Sequence, residues 1–324
     1  MTEGTTAETT HEGVVDVSVV IVSWNVRELL RGCLESLRHA ETAPSLQIIV
    51  VDNASDDGSQ EAVQTGFPQV ELVACQANLG FSRASNLGLR LAKGRYILFL
   101  NPDTVLHTDA LNRLAALLDT NHDVDLVGPK IVSPDGTPQW IAARRPPSAA
   151  QLSFQALYLH RLPMIGPRLL NRMTFQYDLN KSQEVEAISG AAMFGRRSAV
   201  EAVGGFDESF LFTGEDMDLC ERMRIAGSKI FYLPEATVVH YGGQSSARAW
   251  GRTGAMGVLS TERYLTRAHG RARGLMFRLI VQFVQMPIML LVGVGKALFR
   301  RTGPGGLRQR LTYAKAVWRW RIDD

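Results

Sequence analysis

The sequence predicts an α/β protein with a mostly parallel central sheet flanked by helices, followed by a basic, helical C-terminal extension. Over the first 130 residues, short apolar runs alternate with helical patterns, which is typical of βαβ units. Polar residues directly follow these runs, as they do where the strands of an open α/β sheet end at a ligand site. Beyond residue 247, basic residues surround a long apolar run.

Short apolar runs predict the strands of the first half. VSVVIVS over residues 17–23 is rich in β-branched residues, which favour buried strands, and QIIVV over 47–51 repeats the signal. Further strands are predicted over 70–74, 96–100 and near 125–127. Helices are predicted over 27–40, over 82–93 and over 108–121, and a further helix runs from the Gly58 turn to about residue 65. Asn101-Pro102-Asp103 ends the fourth strand, because proline cannot donate to the sheet.

The second half has a less regular pattern beyond Pro134. Asp135-Gly136 predicts a hairpin turn, residues 144–147 a linker or flexible loop, and 149–161 a helix. The remaining predictions are a strand over 184–194, a short helix from Ser198, a turn at 204–207, a helix over 216–226 and strands over 229–233 and 237–240.

Composition indicates a protein with a buried core. With 324 residues, of which 45% are hydrophobic and 21% charged, the chain suits one large or two medium domains. Cys33, Cys75 and Cys220 lie far apart without a CxxC pair, which excludes a disulfide framework and a cysteine-built zinc site and favours a reducing compartment. Residues 1–13 are polar and acidic, so we expect a disordered tail and not a signal peptide.

The net charge of +3 combines two opposed parts. Residues 248–324 contain 15 Lys and Arg against 3 Asp and Glu, which gives +12, whereas the rest contains 20 against 29, which gives −9. Such a basic segment predicts an anionic partner, either a membrane surface or nucleic acid. No interleaved recognition motif accompanies it, so the sequence predicts no nucleic-acid partner.

A charge-free apolar run of 17 residues, 279–295, lies within the extension between Arg278 and Lys296. A membrane-spanning helix needs about 20 apolar residues. This run is shorter, contains Gln282, Gln285 and Pro287, and has basic residues on both flanks, whereas a single crossing favours one side. The pattern favours an interfacial or re-entrant helix over a span, and a buried core helix is the third interpretation.

The predicted strand ends carry the candidate ligand-binding residues. Ser23, Trp24 and Asn25 follow the first strand, Asp52 and Asn53 the second, and Asn101 and Asp103 the fourth. The absence of GxGxxG and GxxxxGK[ST] at these turns argues against a dinucleotide fold and a P-loop enzyme. Asp52 is either a turn residue or an acceptor for a ribose or base, and Asp103 suits a hard cation that bridges phosphates. Two acids at neighbouring strand ends favour a nucleotide-diphosphate site.

Five motifs over residues 17 to about 243 resemble, in order, those of the family 2 glycosyltransferases with a GT-A fold. They are VSWN after the first strand, VVDNASDDGS, NLGFSRASNLGL leading into GRYILFLNPD, GGFDESFLFTGEDMDLCERMRIAG, and PEATVVHYGGQS from Pro234. The NPD sequence is similar to that of the rhamnosyltransferase-like branch. The resemblance implies a nucleotide-sugar half over 14–130 and an acceptor half over 131–247. The basic clusters around the apolar run predict a helical, membrane-associating extension over 248–324.

The resemblance also implies a divalent cation, Mg²⁺ or Mn²⁺, and its ligands. Asn101 stands where other members have the first acid of the D-x-D motif, which leaves Asp103 as the main carboxylate. His240 falls where some members supply a metal or pyrophosphate ligand, although a lone histidine is usually structural. Asn78, Arg83 and Asn86 are expected on the nucleotide-sugar side, with a turn or an exposed helix face as the alternative interpretation.

For the acceptor, the resemblance assigns the catalytic base to Asp216 of the Glu215-Asp216 pair. Adjacent carboxylates raise one another's pKa, which suits a base at neutral pH. The alternative is that Asp216 and Asp218 only charge the first turn of a helix. Asp207 is expected as a turn residue or an acceptor contact, and Trp140, Arg144 and Arg145 lie in the segment expected to cover the acceptor.

The resulting hypothesis is an inverting, metal-dependent transferase for L-rhamnose from dTDP-L-rhamnose. The expected acceptor is a lipid-linked or polysaccharide glycan of the bacterial cell envelope, reached from the cytoplasmic side of the membrane by a peripheral or monotopic protein. Three alternatives remain at this stage: another donor, such as UDP-galactofuranose or UDP-N-acetylglucosamine; a catalytically silent nucleotide-sugar-binding partner; and, with little support, a basic-tailed nucleic-acid binder. The sequence predicts no particular oligomeric state.

Overall fold

The computed structural model describes residues 15–38, 44–173, 176–210, 213–242, 250–298 and 307–319. The predicted disordered tail, residues 1–13, lies outside them. The first half contains, in order, β1 (Val17–Ser23), α1 (Arg27–Arg38), β2 (Leu46–Asp52), α2 (Ser59–Gly66), β3 (Glu71–Ala74), α3 (Phe81–Leu91), β4 (Tyr96–Leu100), β5 (Thr104–Leu106), α4 (Ala110–Thr120) and β6 (Val124–Val132).

The strands of the first half form the parallel part of the sheet. β3, β2, β1 and β4 are adjacent in that order, and each pair is parallel. Every residue of β1 and β4 is buried, as their apolar runs predict for strands covered on both faces. Helix α3 packs closely on β1 at Gly88, where a Cβ atom would lie 2.4 Å from Cγ1 of Val20. The βαβ prediction is confirmed.

The second half completes the same sheet with mixed strands. It contains β7 (Ala143–Arg144), α5 (Ala149–Ala156), α6 (Gly166–Met173), β8 (Gln183–Glu184), β9 (Ala187–Ile188), β10 (Ala192–Arg196), α7 (Arg197–Ala202), α8 (Glu215–Ile225) and β11 (Lys229–His240). β10 lies antiparallel between β4 and β6, β11 runs parallel to β6, and β5 and β8 pair antiparallel with β11. One continuous sheet therefore carries both predicted halves.

Three sequence predictions for this half are wrong in detail. The single strand expected over 184–194 is three strands, because the chain pairs first with β11, then with β7 and then with β4. Residues 229–240 form one strand, with a register shift between Leu233 and Thr237 around Pro234. In the expected flexible loop, Arg144 pairs with Ala187, which fixes its position beside α8.

The extension forms a helical layer with its own core. α9 (Trp250–His269), α10 (Arg271–Ile280), a π-helical turn (Val281–Gln285) and α11 (Met286–Leu298) follow one another, and α12 (Leu307–Arg319) packs back on them. Buried residues of α5, α9, α10 and α12 form one apolar cluster, which includes Ala149, Leu265, Phe277 and Val317. The π-helical turn precedes Pro287, whose missing N–H interrupts the α-helical pattern.

The predicted apolar run is helical and continuous with α10. Among the described residues, one helix, Arg271–Val292, is long and apolar enough to cross a membrane, with a mean hydropathy of 1.9. Only 22% of its most apolar window is buried. Most of this helix is therefore not buried, so a buried core helix, the third interpretation of the apolar run, does not describe it.

Candidate functional site

The predicted strand-end residues lie along one edge of the sheet. β1 and β2 are in parallel register, with Ser23 opposite Asp52, and Ile21 lies opposite Leu100 of β4. The residues after these three strands therefore meet at the carboxyl edge, where open α/β sheets bind their ligands.

Asp52 has one carboxylate oxygen that the fold leaves open. It is buried at the end of β2. Its Oδ1 accepts hydrogen bonds from the N–H of Ser55 at 2.9 Å and the amide of Gln60 at 2.7 Å. Its Oδ2 is also buried but has no partner among the described residues. Since an unpaired buried acceptor costs free energy, this oxygen suits a ligand N–H such as that of a pyrimidine base.

The residues after β1 have different surroundings. The Ser23 hydroxyl is buried and, within the described part of the chain, unpaired. Trp24 is exposed at the rim. Asn25 has a positive φ of 54° and ties two loops together, since its Oδ1 accepts from the N–H of Asp56 and its N–H donates to the Ser55 hydroxyl. Trp24 is thus accessible to a ligand and the Ser23 hydroxyl keeps an unused hydrogen-bonding capacity, whereas Asn25 shapes the loop.

Asn53 and Asn78 use their side-chain amides to build the loop before α3. Oδ1 of Asn53 accepts from the N–H of Leu79 at 2.9 Å, and its Nδ2 donates to the carbonyl of Gly80 at 3.2 Å. Oδ1 of Asn78 accepts from the N–H of Gly80 at 2.9 Å. These contacts position the loop at the sheet edge, and the predicted direct contacts of both residues with a nucleotide stay predictions.

Arg83 and Asn86 lie on α3 and face the turn that precedes α8. Asn86 is buried and bonds both the N–H and the carbonyl of Phe206, at 2.9 and 2.8 Å. Arg83 is exposed and lies 3.6 Å from Glu208. Asn86 therefore holds two segments together, while Arg83 remains accessible to a phosphate.

Asp103 and His240 meet because β5 and β11 pair. The register places His240 opposite Thr104, and Nε2 of His240 lies 3.4 Å from Oδ1 of Asp103. Gln139 orients the histidine: its Nε2 donates to the His240 carbonyl at 2.9 Å, so its Oε1 faces the ring Nδ1, also at 2.9 Å. This arrangement places a proton on Nδ1, which the amide oxygen of Gln139 accepts, and leaves Nε2 facing Asp103.

The pair formed by Asp103 and His240 fits a divalent cation. A lone pair and a carboxylate oxygen repel each other unless a proton or a cation lies between them. A carboxylate, an imidazole and the phosphates of a substrate form a ligand set that Mg²⁺ or Mn²⁺ accepts. Among the residues that the structure describes, no three His, Cys, Asp or Glu side chains cluster to hold a metal ion, so most remaining ligands would come from the donor and water.

At Asn101, the backbone carbonyl accepts from the Thr104 hydroxyl at 2.6 Å, which fixes the turn.

Asp216 lies in the first turn of α8, where its carboxylate is held from two sides. Its Oδ2 accepts from the guanidinium of Arg144 and from the N–H of Gly190, the latter at 3.0 Å. Its Oδ1 accepts from the N–H of Met217 at 2.8 Å. The side chain is largely buried but lines a cavity of about 300 Å³. A carboxylate with a fixed orientation beside a cavity is suited to accept a proton from a bound hydroxyl.

Of the adjacent acids Glu215 and Asp216, Glu215 has a raised pKa. Its full burial, together with the neighbouring charge of Asp216, raises the pKa of Glu215 to about 8. Glu215 is therefore mainly protonated at neutral pH. The sequence predicts that adjacent carboxylates raise the pKa of the base, and in the structure the raised pKa is that of Glu215. The role of Asp216 as the base stays a prediction.

Asp207 and Asp218 bind the extension. Arg267 of α9 pairs with Asp207 and lies 3.0 Å from Oδ1 of Asp218, while Arg222 lies 2.7 Å from Oδ2 of Asp218. Asp218 is thus a structural acid that joins α8 to α9.

The sequence did not predict this link or the roles of Gln139 and Arg144, because no local pattern marks partners that are distant along the chain.

Comparison with known sequences identifies related proteins. The sequence model of glycosyl transferase family 2 matches residues 18–204. An N-acetylglucosaminyl-diphospho-decaprenol L-rhamnosyltransferase of Mycobacterium tuberculosis is 30% identical over 245 residues, which cover 71% of this chain and 77% of the relative. The rhamnosyltransferase WbbL of Escherichia coli is 23% identical over 276 residues, which cover 78% of this chain and 93% of the relative.

Comparison with solved structures confirms the predicted GT-A fold. The mannosyltransferase PcManGT from Pyrobaculum calidifontis, solved with GDP-Man and Mn²⁺, superimposes with a TM-score of 0.53. The match covers 95% of this chain and 86% of the mannosyltransferase at 17% identity. At this identity the likeness shows the fold and leaves donor and acceptor open.

Proposed function

The chain belongs to glycosyl transferase family 2 and is a glycosyltransferase, and we propose that it moves L-rhamnose from dTDP-L-rhamnose to a lipid-linked saccharide of the bacterial cell envelope. The observation that carries the proposal is the carboxylate of Asp216, held at the wall of a cavity by Arg144 and Gly190. The rhamnosyltransferases among the relatives support the choice of sugar.

Transfer with inversion needs a base at the acceptor hydroxyl and stabilisation of the departing nucleotide. Asp216 takes the proton of the acceptor hydroxyl, whose oxygen forms the new bond to the anomeric carbon. The bond from that carbon to the phosphate oxygen breaks at the same time, and the nucleoside diphosphate leaves with the electron pair. Glu215 beside it is mainly protonated at neutral pH, because burial raises its pKa.

On the donor side, the chain's own residues bind and orient the nucleotide. The open Oδ2 of Asp52 accepts from the N–H of the base, with Ser23 and Trp24 beside it. Asp103 and His240 would hold Mg²⁺ or Mn²⁺, whose chemistry is to neutralise charge on the diphosphate. Arg83, exposed on α3, adds a positive charge on the same side.

The extension supports a place on the membrane surface. Leu279, Phe283 and Leu291 of the helical run are exposed, and Phe283 and Leu291 reach 62% and 73%. The exposed side chains of Arg271 and Arg273 lie near the start of this run. Such a face can insert its apolar side chains while basic residues contact anionic headgroups, at about 1 kcal/mol per Lys or Arg. We place the protein on the cytoplasmic leaflet as a peripheral or monotopic enzyme.

The proposal is tested by incubating the purified full chain with Mn²⁺, a GlcNAc-diphospho-lipid acceptor and a panel of nucleotide sugars. We expect transfer from dTDP-L-rhamnose to exceed transfer from UDP-galactofuranose and UDP-N-acetylglucosamine, with inverted anomeric configuration in the product. Preferred transfer from a UDP sugar would overturn the donor assignment. Binding of nucleotide sugars without transfer to this acceptor would overturn the acceptor assignment.

A further inference from the structure

Helix α9 of the extension forms one wall of the cavity beside Asp216. One side is the segment around Ile141 and Arg144, and a second is the turn with Glu215 and Asp216. The third side is helix α9 of the extension, beyond the matched residues 18–204. It contributes Ser260, Thr261 and Tyr264.

Three residues that line this cavity each have a polar atom that is buried without a partner in the described part of the chain. These atoms are Nε of Arg144, Oε2 of Glu215 and Oγ of Ser260, one from each wall. Buried polar atoms are nearly always hydrogen-bonded in native proteins, because an unpaired one has lost its water without replacement. Three such atoms around one cavity indicate that a ligand completes their hydrogen bonds.

The three atoms also define the chemistry of that ligand. Nε of Arg144 only donates, so it requires an acceptor oxygen. The Ser260 hydroxyl and the protonated carboxyl of Glu215 each donate and accept, so they suit hydroxyl groups that do the same. The cavity of about 300 Å³ is at the small end of ligand pockets, which are roughly 300 to 1,000 Å³. A single sugar ring with neighbouring hydroxyls meets these requirements.

The position of α9 is fixed relative to the acidic turn. Arg267 pairs with Asp207 and with Asp218, and Arg263 donates to the carbonyl of Ser209. Tyr264 is buried, and that burial raises the pKa of its phenol, so the hydroxyl stays protonated. These contacts make the extension a fixed wall of the cavity.

We propose that this cavity is the subsite for the sugar of the acceptor, and that α9 supplies Ser260 as an acceptor-binding residue. The inference rests on the proposed function, in which Asp216 deprotonates a hydroxyl of that sugar. The extension then has two tasks, because the same helical layer that carries the exposed apolar face also contacts the acceptor beside the base.

Steady-state kinetics of the full chain tests this subsite with Ser260→Ala and Ser260→Leu. The probe is a GlcNAc diphosphate with a short prenyl chain, varied at saturating dTDP-L-rhamnose. We expect Ser260→Ala to raise the acceptor KM about tenfold, the effect of one lost hydrogen bond, and Ser260→Leu to raise it further by filling the cavity. The donor KM should stay at the wild-type value.

Ser153→Ala is the matched control, since the Ser153 hydroxyl is also buried and, among described residues, unpaired, but does not line the cavity. It should leave the acceptor KM unchanged. An unchanged acceptor KM in Ser260→Ala, or an equal rise in donor KM, would overturn the subsite. Ser260→Ala keeps the test decisive if Ser260→Leu fails to fold. Failure of the proposed function differs from both results, because the wild-type chain itself would then transfer no rhamnose.

Discussion

The guanidinium of Arg144 holds Oδ2 of Asp216, although the two residues are 72 positions apart in the sequence. Arg144 is placed by the pairing of β7 with β9, and Asp216 by the first turn of α8. Their contact joins the segment expected to cover the acceptor to the proposed base. Arg144 is therefore a positioning residue for Asp216.

Replacing Arg144 by Gln should lower kcat and leave the donor KM unchanged. A charge-assisted hydrogen bond contributes about 2 kcal/mol, so we expect kcat to fall about thirtyfold. Arg144→Lys should recover part of the rate, because it keeps the charge without the planar fork. Arg113→Ala is the control, since this exposed arginine on α4 pairs with Asp109, the residue directly before that helix. Loss of donor binding in Arg144→Gln would contradict a positioning role.

Gln139→Ala should weaken the binding of Mn²⁺ in the presence of donor. Gln139 fixes the tautomer of His240, and loss of such a partner typically lowers metal affinity about 10- to 100-fold. The measurement is Mn²⁺ titration of the protein with dTDP, followed by calorimetry. Gln64→Ala, at an exposed position on α2, serves as the control. Equal Mn²⁺ affinity in wild type and Gln139→Ala would show that the glutamine does not orient a metal ligand.

The sequence predicts the parallel half of the fold well, because its signals are local. The β-branched run of β1 and the apolar run of β4 give both strands their observed bounds, and Asp52 and Asp103 lie at strand ends as expected. The strand expected over 184–194 is divided because three different partner strands decide its pairing, and no local pattern records them.

The candidate site is less predictable, because its contacts join distant positions. Gln139 and His240 are 101 residues apart, and Ser260 reaches the cavity only after the extension folds against the catalytic domain. Residue type also does not distinguish ligand contacts from loop contacts. Asn53 is the neighbour of Asp52 at the end of β2, yet its amide bonds two backbone groups, whereas Asp52 has one oxygen that is unpaired among the described residues.

The buried Glu215 should make folding stability fall as the pH rises. Its pKa is about 8 in the fold and 4.5 unfolded, so the folded state binds more protons between these values. The contribution of Glu215 to the free energy of unfolding is fully present below about pH 4.5. It decreases as the pH rises towards 8, by no more than about 1.4 kcal/mol per pH unit. Glu262, whose pKa burial raises to about 7, contributes with the same sign.

Glu215→Gln removes that titration and isolates its contribution. Urea unfolding from pH 5 to 9 should show a smaller decrease in the free energy of unfolding for Glu215→Gln than for wild type. Glu262→Gln should flatten the curve mainly below pH 7. The same pH dependence in wild type and Glu215→Gln would contradict the assignment of a raised pKa to Glu215.

The exposed apolar face of the extension should bind membranes. Phe283→Asp combined with Leu291→Asp should lower binding to phosphatidylglycerol vesicles at least about tenfold, because two large side chains no longer insert. Transfer to a short-chain, water-soluble acceptor should remain at the wild-type rate. Ile225→Asp is the control, since Ile225 is 80% exposed on α8. Unchanged vesicle binding by the double variant would exclude this face.

The central claim is that Asp216 is the catalytic base, and Asp216→Asn in a single-turnover assay tests it most directly. The amide keeps the shape of the side chain but cannot take a proton at neutral pH. We expect transfer from dTDP-L-rhamnose to fall by about 100-fold or more, while the dissociation constants of donor and acceptor remain within about twofold of wild type. Wild-type transfer by Asp216→Asn would contradict the account.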